Sequence, residues 1–110
     1  MQNELHEMIG RTLAGWAVMF DCECLEVDRW LLSRLLNLRR INGERVRALR
    51  RGVEEWFPYV HTVTDQYNSV QRIYFSKRSL DEVEWHGMTL EEQRDAIRDE
   101  GIRTLILDIK

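Results

Sequence analysis

Arginine is the residue type that best equips this chain for chemistry. Eight arginines and a single acidic residue, Glu44, stand between residues 29 and 51, so that this segment carries +7. The chain as a whole carries a net charge of −3. Planar guanidinium groups form paired hydrogen bonds with carboxylates and phosphates. The segment therefore predicts a docking site for an anionic partner, which the charge alone does not identify as protein or nucleic acid.

Helical spacing separates the arginines that are free to meet a partner from those that have a partner nearby in the chain. Arg34 falls on the apolar side of its predicted helix, where it would extend to the surface or pair with a carboxylate. Arg50 and Arg51 each precede a glutamate by four residues, which is the spacing of a helical ion pair. The predicted partner-binding set, in which Arg29, Arg40 and Arg47 are the freest, is Arg29, Arg40, Arg45, Arg47, Arg50, Arg51 and Trp85.

Trp85 belongs to this set because it lies among acidic residues, and exposed tryptophans often anchor interfaces. The alternative is that Trp85 packs over a predicted hairpin. Three cations on or after that hairpin are candidate phosphate contacts, namely Arg72, Lys77 and Arg78. The other three tryptophans and one tyrosine are interpreted as core residues: Trp16, Trp30, Trp56 and Tyr74.

Cysteine and histidine do not make a convincing second site. Cys22 and Cys24 are separated by one residue, whereas cysteine pairs in structural zinc sites are separated by two to four residues and need further ligands. The histidines, among them His61, are isolated in the sequence. No G-x-S-x-G, phosphate-binding glycine loop or H-E-x-x-H occurs. We therefore expect no metal site, no cofactor, no catalytic residue and no enzymatic activity.

Apolar periodicity predicts that a first helix covers residues 3–20. Its buried stripe is expected to consist of Leu5, Ile9, Leu13, Trp16 and Phe20. A strand from Trp16 to Cys22 is the alternative, and residues 21–26 are interpreted as a polar connection.

Two further helices are predicted over residues 26–41 and 44–56, separated by the strong break at Asn42-Gly43. The second helix is expected to bury Val27, Leu31, Leu35 and Leu38. The third helix is expected to bury Val46, Leu49, Val53 and Trp56. Two helices joined by a short turn with glycine are compatible with a helix-turn-helix unit.

Alternating residues after Pro58 predict a β-hairpin with strands at 59–64 and 70–75. Ser79 with Glu82 and Thr89 with Glu92 have the spacing of capping boxes, the second of which begins a helix of residues 90–100. A final strand is expected within 102–109, where it could join the hairpin. The predicted class is α+β, with an N-terminal three-helix unit, an antiparallel hairpin, a C-terminal helix and a final strand in a two- or three-stranded sheet.

The 110 residues predict one compact domain, 1–110. No signal peptide or membrane-spanning stretch is evident, and two cysteines do not form a disulfide framework, so we expect a cytoplasmic protein that contacts no membrane. Both ends of the chain are acidic and the middle is basic. Pairing of the acidic ends of one copy with the basic middle of another would form a homodimer, and the sequence does not decide whether this occurs.

Composition and charge favour a small intracellular binding protein that modulates a larger protein or nucleoprotein by docking on its acidic surface. Arginine and tryptophan are enriched at protein interfaces, whereas lysine, represented here by only two residues, is depleted there. Compact inhibitors and adaptors of phages or mobile elements have this profile. The alternative is a winged helix-turn-helix regulator that binds nucleic acid through residues 44–56.

Overall fold

The chain folds as an α+β protein with four helices and four strands in a computed structural model that describes residues 2–36 and 44–107. The elements in chain order are α1 (Gln2–Met19), β1 (Cys24–Asp28), α2 (Arg29–Leu36), α3 (Glu44–Glu54), β2 (Tyr59–Thr64), β3 (Val70–Ser76), α4 (Leu90–Asp99) and β4 (Thr104–Leu107).

The strands form one mixed sheet with the order β2-β3-β1-β4. The β2–β3 hairpin has the predicted position. Strand β1 pairs with β3 in antiparallel orientation, and β4 pairs with β1 in parallel orientation. The prediction of two or three strands was therefore wrong, because a central strand was missed and the final strand joins that strand instead of the hairpin.

Strand β1 was missed because both of its faces are covered. Leu25 and Val27 face the core under the helices, whereas Cys24 and Glu26 lie on the opposite face of the sheet, and all four are buried. The acid at Glu26 made this segment look like a polar connection. A buried strand usually reads as a continuous apolar run, which a buried glutamate interrupts.

The second helix begins at Arg29, three residues later than predicted, because β1 occupies the segment before it. The Asp28 carboxylate accepts a hydrogen bond of 3.0 Å from the backbone N–H of Leu31, which caps the helix. The predicted end at residue 41, together with Leu38, lies outside the described residues. The third helix ends at Glu54 rather than residue 56.

The face that helix α1 presents to the core is rotated from the predicted one, although Leu13 is buried as predicted and Ile9 packs against the core. His6, Leu13, Ala14 and Ala17 are buried, whereas Leu5, Trp16 and Phe20 are exposed. The helix continues to Met19, so the alternative of a strand from Trp16 to Cys22 was wrong. Small side chains are favoured on the inner face because α1 lies unusually close to α3.

That close approach occurs at two glycines. A Cβ atom added to Gly10 would overlap the carbonyl oxygen of Leu49 and lie 3.1 Å from the backbone nitrogen of Val53. A Cβ atom added to Gly52 would overlap the carbonyl oxygen of Glu7. The two helices therefore touch backbone to backbone, and a side chain at either glycine would force them apart.

The sheet lies between two layers. On one face α1, α2 and α3 enclose the larger core, with Leu49, Phe57 and Phe75 among its fully buried side chains. On the other face α4 and the segment 77–89 cover a smaller core, which consists of Cys24, Tyr74, Leu80, Val83, Ile97 and Ile102.

The capping box that begins α4 is confirmed. The Thr89 hydroxyl accepts a hydrogen bond from the Glu92 backbone N–H, and the Glu92 carboxylate accepts one from Thr89. Ser79 starts only a turn, in which its hydroxyl accepts a hydrogen bond of 3.2 Å from the Asp81 N–H.

We predict that Gly10→Ala lowers the free energy of unfolding by about 2 kcal/mol or more, because the new methyl group must displace the backbone of α3. Gly15→Ala is the matched control in the same helix, since a Cβ atom there would meet nothing within 4 Å. At protein concentrations low enough to keep the chain monomeric, it should raise the free energy of unfolding by about 0.5–1 kcal/mol through helix propensity. Urea denaturation of both variants measures the difference, and similar effects at the two glycines would contradict the contact described above.

Candidate functional site

The described part of the arginine-rich segment is divided between two helices. Arg29 and Arg34 lie on α2, and the α3 arginines are Arg45, Arg47, Arg50 and Arg51. Arg40 lies outside the described residues. Arg34 is exposed, so its predicted position on the apolar side of the helix was wrong. The leucines Leu32 and Leu36 form the buried side of α2 instead.

Three arginines of α3 have partners within the chain. Arg45 is half-buried and donates a hydrogen bond of 2.9 Å to the carbonyl oxygen of Leu36. Arg50 forms the predicted ion pair with Glu54, with 3.3 Å between nitrogen and oxygen. Arg51 instead reaches across to α1, where its Nε lies 4.0 Å from the carboxylate of Glu7.

The predicted pair of Arg51 with Glu55 does not form, because Glu55 binds Arg11 on α1. The Nε atom of Arg11 donates a hydrogen bond of 3.0 Å to Glu55, and its Nη2 atom donates one of 3.0 Å to Glu7. Four charged side chains therefore neutralise one another between α1 and α3. They reduce the positive potential on this side of α3.

Within the described part of the arginine-rich segment, three exposed arginines form neither an ion pair nor a hydrogen bond with any described residue: Arg29, Arg34 and Arg47. Arg29 opens α2 and Arg34 lies in its last turn, while Arg47 lies on the outer side of α3. We call these three the free arginine set. Their guanidinium groups retain all of their donors for a ligand.

Trp30 stands beside this set rather than in the core. Its side chain is 65% exposed and precedes Arg34 by four residues on α2, so both side chains lie on the same outer face. Trp56 is 52% exposed after the end of α3, and Trp16 is exposed on α1. The prediction that these three tryptophans are core residues was wrong, whereas Tyr74 is buried as predicted.

Trp85 packs over the hairpin, which was the alternative to an exposed anchor. Its indole stacks on the His61 ring with 3.9 Å between centroids and lies 5.0 Å from the Tyr74 ring. The side chain is only half-buried. A partner would therefore meet the outer part of this stack, and the proposed role of Trp85 in binding stays a prediction.

The three candidate phosphate contacts all have neighbours in the chain. Arg72 donates a short hydrogen bond to Gln93. Lys77 lies 5.4 Å from the centre of the Phe57 ring. Arg78 donates to the carbonyl oxygens of Glu100 and Gly101 and lies 3.9 Å from the Glu23 carboxylate. Binding to phosphate would compete with these interactions.

A polar centre that was not predicted lies between the sheet and α4. Glu26 is fully buried, and its carboxylate accepts hydrogen bonds from the Tyr74 hydroxyl at 2.6 Å and from Arg94 at 3.1 and 2.6 Å. The hydrogen bond to Glu26, opposed by partial desolvation, raises the pKa of Arg94. Burial, followed by the contact with Glu26, raises the pKa of Tyr74.

These contacts favour a structural role for the centre. Both oxygens of Glu26 are engaged, so the carboxylate is poorly placed to act as a base. A cleft of about 640 Å³ lies beside Arg94, between α4 and β4, and none of the described residues that line it is a cysteine, serine or histidine. Leu25 and Val27 alternate with Cys24 and Glu26 in the sequence. This alternation, which is typical of a strand, could have shown that Glu26 lies on the opposite face from the two aliphatic residues.

The two cysteines are free thiols, and both are buried. Burial raises the pKa of Cys24 to about 12, which keeps this thiol protonated near neutral pH. Within residues 2–36 and 44–107, no three histidine, cysteine, aspartate or glutamate side chains are arranged to hold a metal ion. None of the helices in these ranges is long and apolar enough to cross a membrane.

Comparison of the chain with protein-family models, with curated proteins and with solved structures found no match.

Removing the cation from the polar centre should be costly, because the Glu26 carboxylate would remain buried without its charged partner. We expect Arg94→Met to lower the free energy of unfolding by about 3–5 kcal/mol. Arg98→Met on the same helix is the matched control, since that side chain is 72% exposed, and it should change stability by less than about 1 kcal/mol. Adding Glu26→Gln to Arg94→Met should recover part of the loss in urea denaturation. Equal stability of the two single variants would contradict this assignment.

Acid should weaken the fold through His61, whose pKa is lowered by burial against Trp85. Below the unfolded-state pKa of about 6.5, the unfolded chain binds more protons than the folded chain. The free energy of unfolding should therefore fall as the pH decreases through that value. His61→Phe keeps an aromatic ring in the stack and should make this fall shallower. Urea denaturation of both proteins across that pH range tests the expectation, and identical slopes would contradict it.

Proposed function

We propose that this chain is a small non-enzymatic binding protein that docks on the acidic surface of a larger protein or nucleoprotein and modulates it. The observation that carries the proposal is the free arginine set, Arg29, Arg34 and Arg47, which has no partner among the described residues. Arg40 was also expected to contribute, and its role stays a prediction. The other α3 arginines are Arg45, Arg50 and Arg51. They are expected to add to the positive potential of the site, to the extent that their interactions within the chain do not neutralise them.

The chemistry of α2 supports a protein partner. Arg34 and Trp30 lie together on its outer face, and tryptophan and arginine are the residues that most often carry binding energy at protein interfaces. The indole can bury apolar area while the guanidinium forms paired hydrogen bonds with a carboxylate beside it. The planar guanidinium group fixes the orientation of a bound carboxylate more closely than the ammonium group of a lysine would.

A winged helix-turn-helix that binds nucleic acid remains the second candidate. In its favour, α2 and α3 are followed directly by the β2–β3 hairpin, and α3 exposes Arg47. Against it, no cation occurs in the hairpin turn, residues 65–69, and Asp65 accepts the hydrogen bonds that close this turn. The turn therefore offers only uncharged donors, such as Gln66 and Asn68, and lacks the positive charge that supplies most of the affinity for a phosphate backbone. We therefore favour the protein partner.

A cytoplasmic location forms part of the proposal. Both cysteines are free thiols, which is the usual state in a reducing compartment. The proposed partner is accordingly a cytoplasmic protein or nucleoprotein with an acidic surface.

Charge reversal tests the proposed surface. We expect Arg34→Glu and Arg47→Glu each to weaken partner binding at least about tenfold, because a buried or hydrogen-bonded charge contact is lost and a repulsion replaces it. Arg103→Glu is the matched control, since Arg103 is also exposed, has no charged partner among the described residues and changes the net charge equally. The measurement is quantitative pull-down from the source cells, with circular dichroism to verify folding. If all three variants retain their partners equally well, the free arginine set is not the binding surface.

Titration with nucleic acid separates the two candidates. Labelled duplex DNA and single-stranded RNA should show no binding at low salt if the partner is an acidic protein surface. Tight binding that weakens steeply as salt increases, and that Arg47→Glu abolishes, would favour the winged helix-turn-helix instead.

A further inference from the structure

Helix α1 has a second apolar face that nothing in the described structure covers. Four large side chains form it: Leu5, Met8, Trp16 and Met19, with exposed fractions of 57%, 59%, 45% and 74%. Thr12 lies at the centre of the same face and is exposed. We call these five residues the α1 stripe. It lies on the opposite side of the helix from the buried alanines Ala14 and Ala17.

The stripe is separate from the arginines of the proposed function. Glu4, Glu7 and Arg11 lie along one flank of the stripe, where Glu7 contacts Arg51 of α3 and Arg11 contacts Glu55, which follows α3. This polar flank lies between the stripe and the outer side of α3. A contiguous apolar surface of this kind on a small protein usually marks an interaction site.

The spacing of the stripe makes it complementary to itself. Its members follow one another at steps of 3, 4, 4 and 3 residues, so the pattern reads the same in both directions about Thr12. When two copies of α1 cross in antiparallel orientation, Leu5 meets the partner's Met19. Met8 then meets the partner's Trp16, and the two Thr12 side chains meet on the two-fold axis.

Glycine at position 15 fits the same arrangement. Gly15 lies at the edge of the stripe, and an added Cβ atom there would meet nothing within 4 Å of the same chain. The absence of a side chain there leaves room at this edge for a second helix to approach.

The exposed area of the stripe reaches the minimum that a specific interface needs. A large side chain that is half exposed presents roughly 100 Å², and Phe20, which is 57% exposed, extends the stripe at its end. Five such side chains from each copy would together bury roughly 1,000 Å², the lower bound for a specific interface.

We propose that two copies of this chain form a symmetric dimer through antiparallel packing of their α1 stripes. A membrane surface is a poorer occupant, because helices that lie on membranes carry basic residues on their polar face, whereas the polar flank here contains two acids and one base. The dimer does not rest on the proposed partner-binding function, because it uses different residues.

Sedimentation equilibrium over a wide range of protein concentration tests the dimer. Wild type should show a monomer–dimer equilibrium, and Trp16→Glu should weaken it at least about tenfold. Val18→Glu is the matched control, because Val18 is 40% exposed on the same helix but lies outside the stripe. It should leave the dimer unchanged. A wild-type monomer at every concentration, or a dimer that Trp16→Glu does not affect, would overturn the proposal.

A cross-linking experiment checks the symmetry. Thr12→Cys should form a disulfide-linked dimer rapidly under mild oxidation, because the two-fold axis brings both copies of residue 12 together. Glu4→Cys, on the polar flank, should cross-link far more slowly. Both native thiols are buried, which limits background reaction. Equal cross-linking rates for the two variants would contradict the antiparallel arrangement.

Discussion

Helices α1 and α3 meet at Gly10 and Gly52, where the backbone of each helix occupies the space that a side chain would need on the other. This steric constraint determines the rotation of α1 about its own axis. With its glycine and alanines turned inward, the helix must turn Leu5 and Trp16 outward. The close backbone contacts at these two glycines therefore determine both which residues α1 contributes to the core and which of its apolar side chains remain uncovered.

Features that follow from local rules could be predicted from the sequence. The β2–β3 hairpin follows from alternation, and the box that begins α4 follows from the spacing of Thr89 and Glu92. The burial of α1 did not follow from hydrophobicity, because closeness to α3 selects small residues over large ones. Strand β1 was missed because Glu26, an acid, lies in the interior with a partner far away in the sequence.

The same distinction applies to the arginines. The pair of Arg50 with Glu54 depends only on helical spacing and could be predicted. The pairing of Arg51 with Glu7, and of Arg11 with Glu55, depends on how α1 lies against α3. The packing of α1 against α3 therefore determines which arginines belong to the free arginine set. The exposure of Trp30 beside that set likewise depends on tertiary packing.

The polar centre also has a consequence for the order of folding. Strand β1 lies in the middle of the sheet, yet its neighbours β3 and β4 both come much later in the chain. Glu26 must likewise wait for Arg94, which is 68 residues away. Pairings of such long range close large loops and slow the search for the native state. During synthesis, β1 should therefore stay unpaired until the later strands have left the ribosome, whereas α1 and α3 can meet earlier.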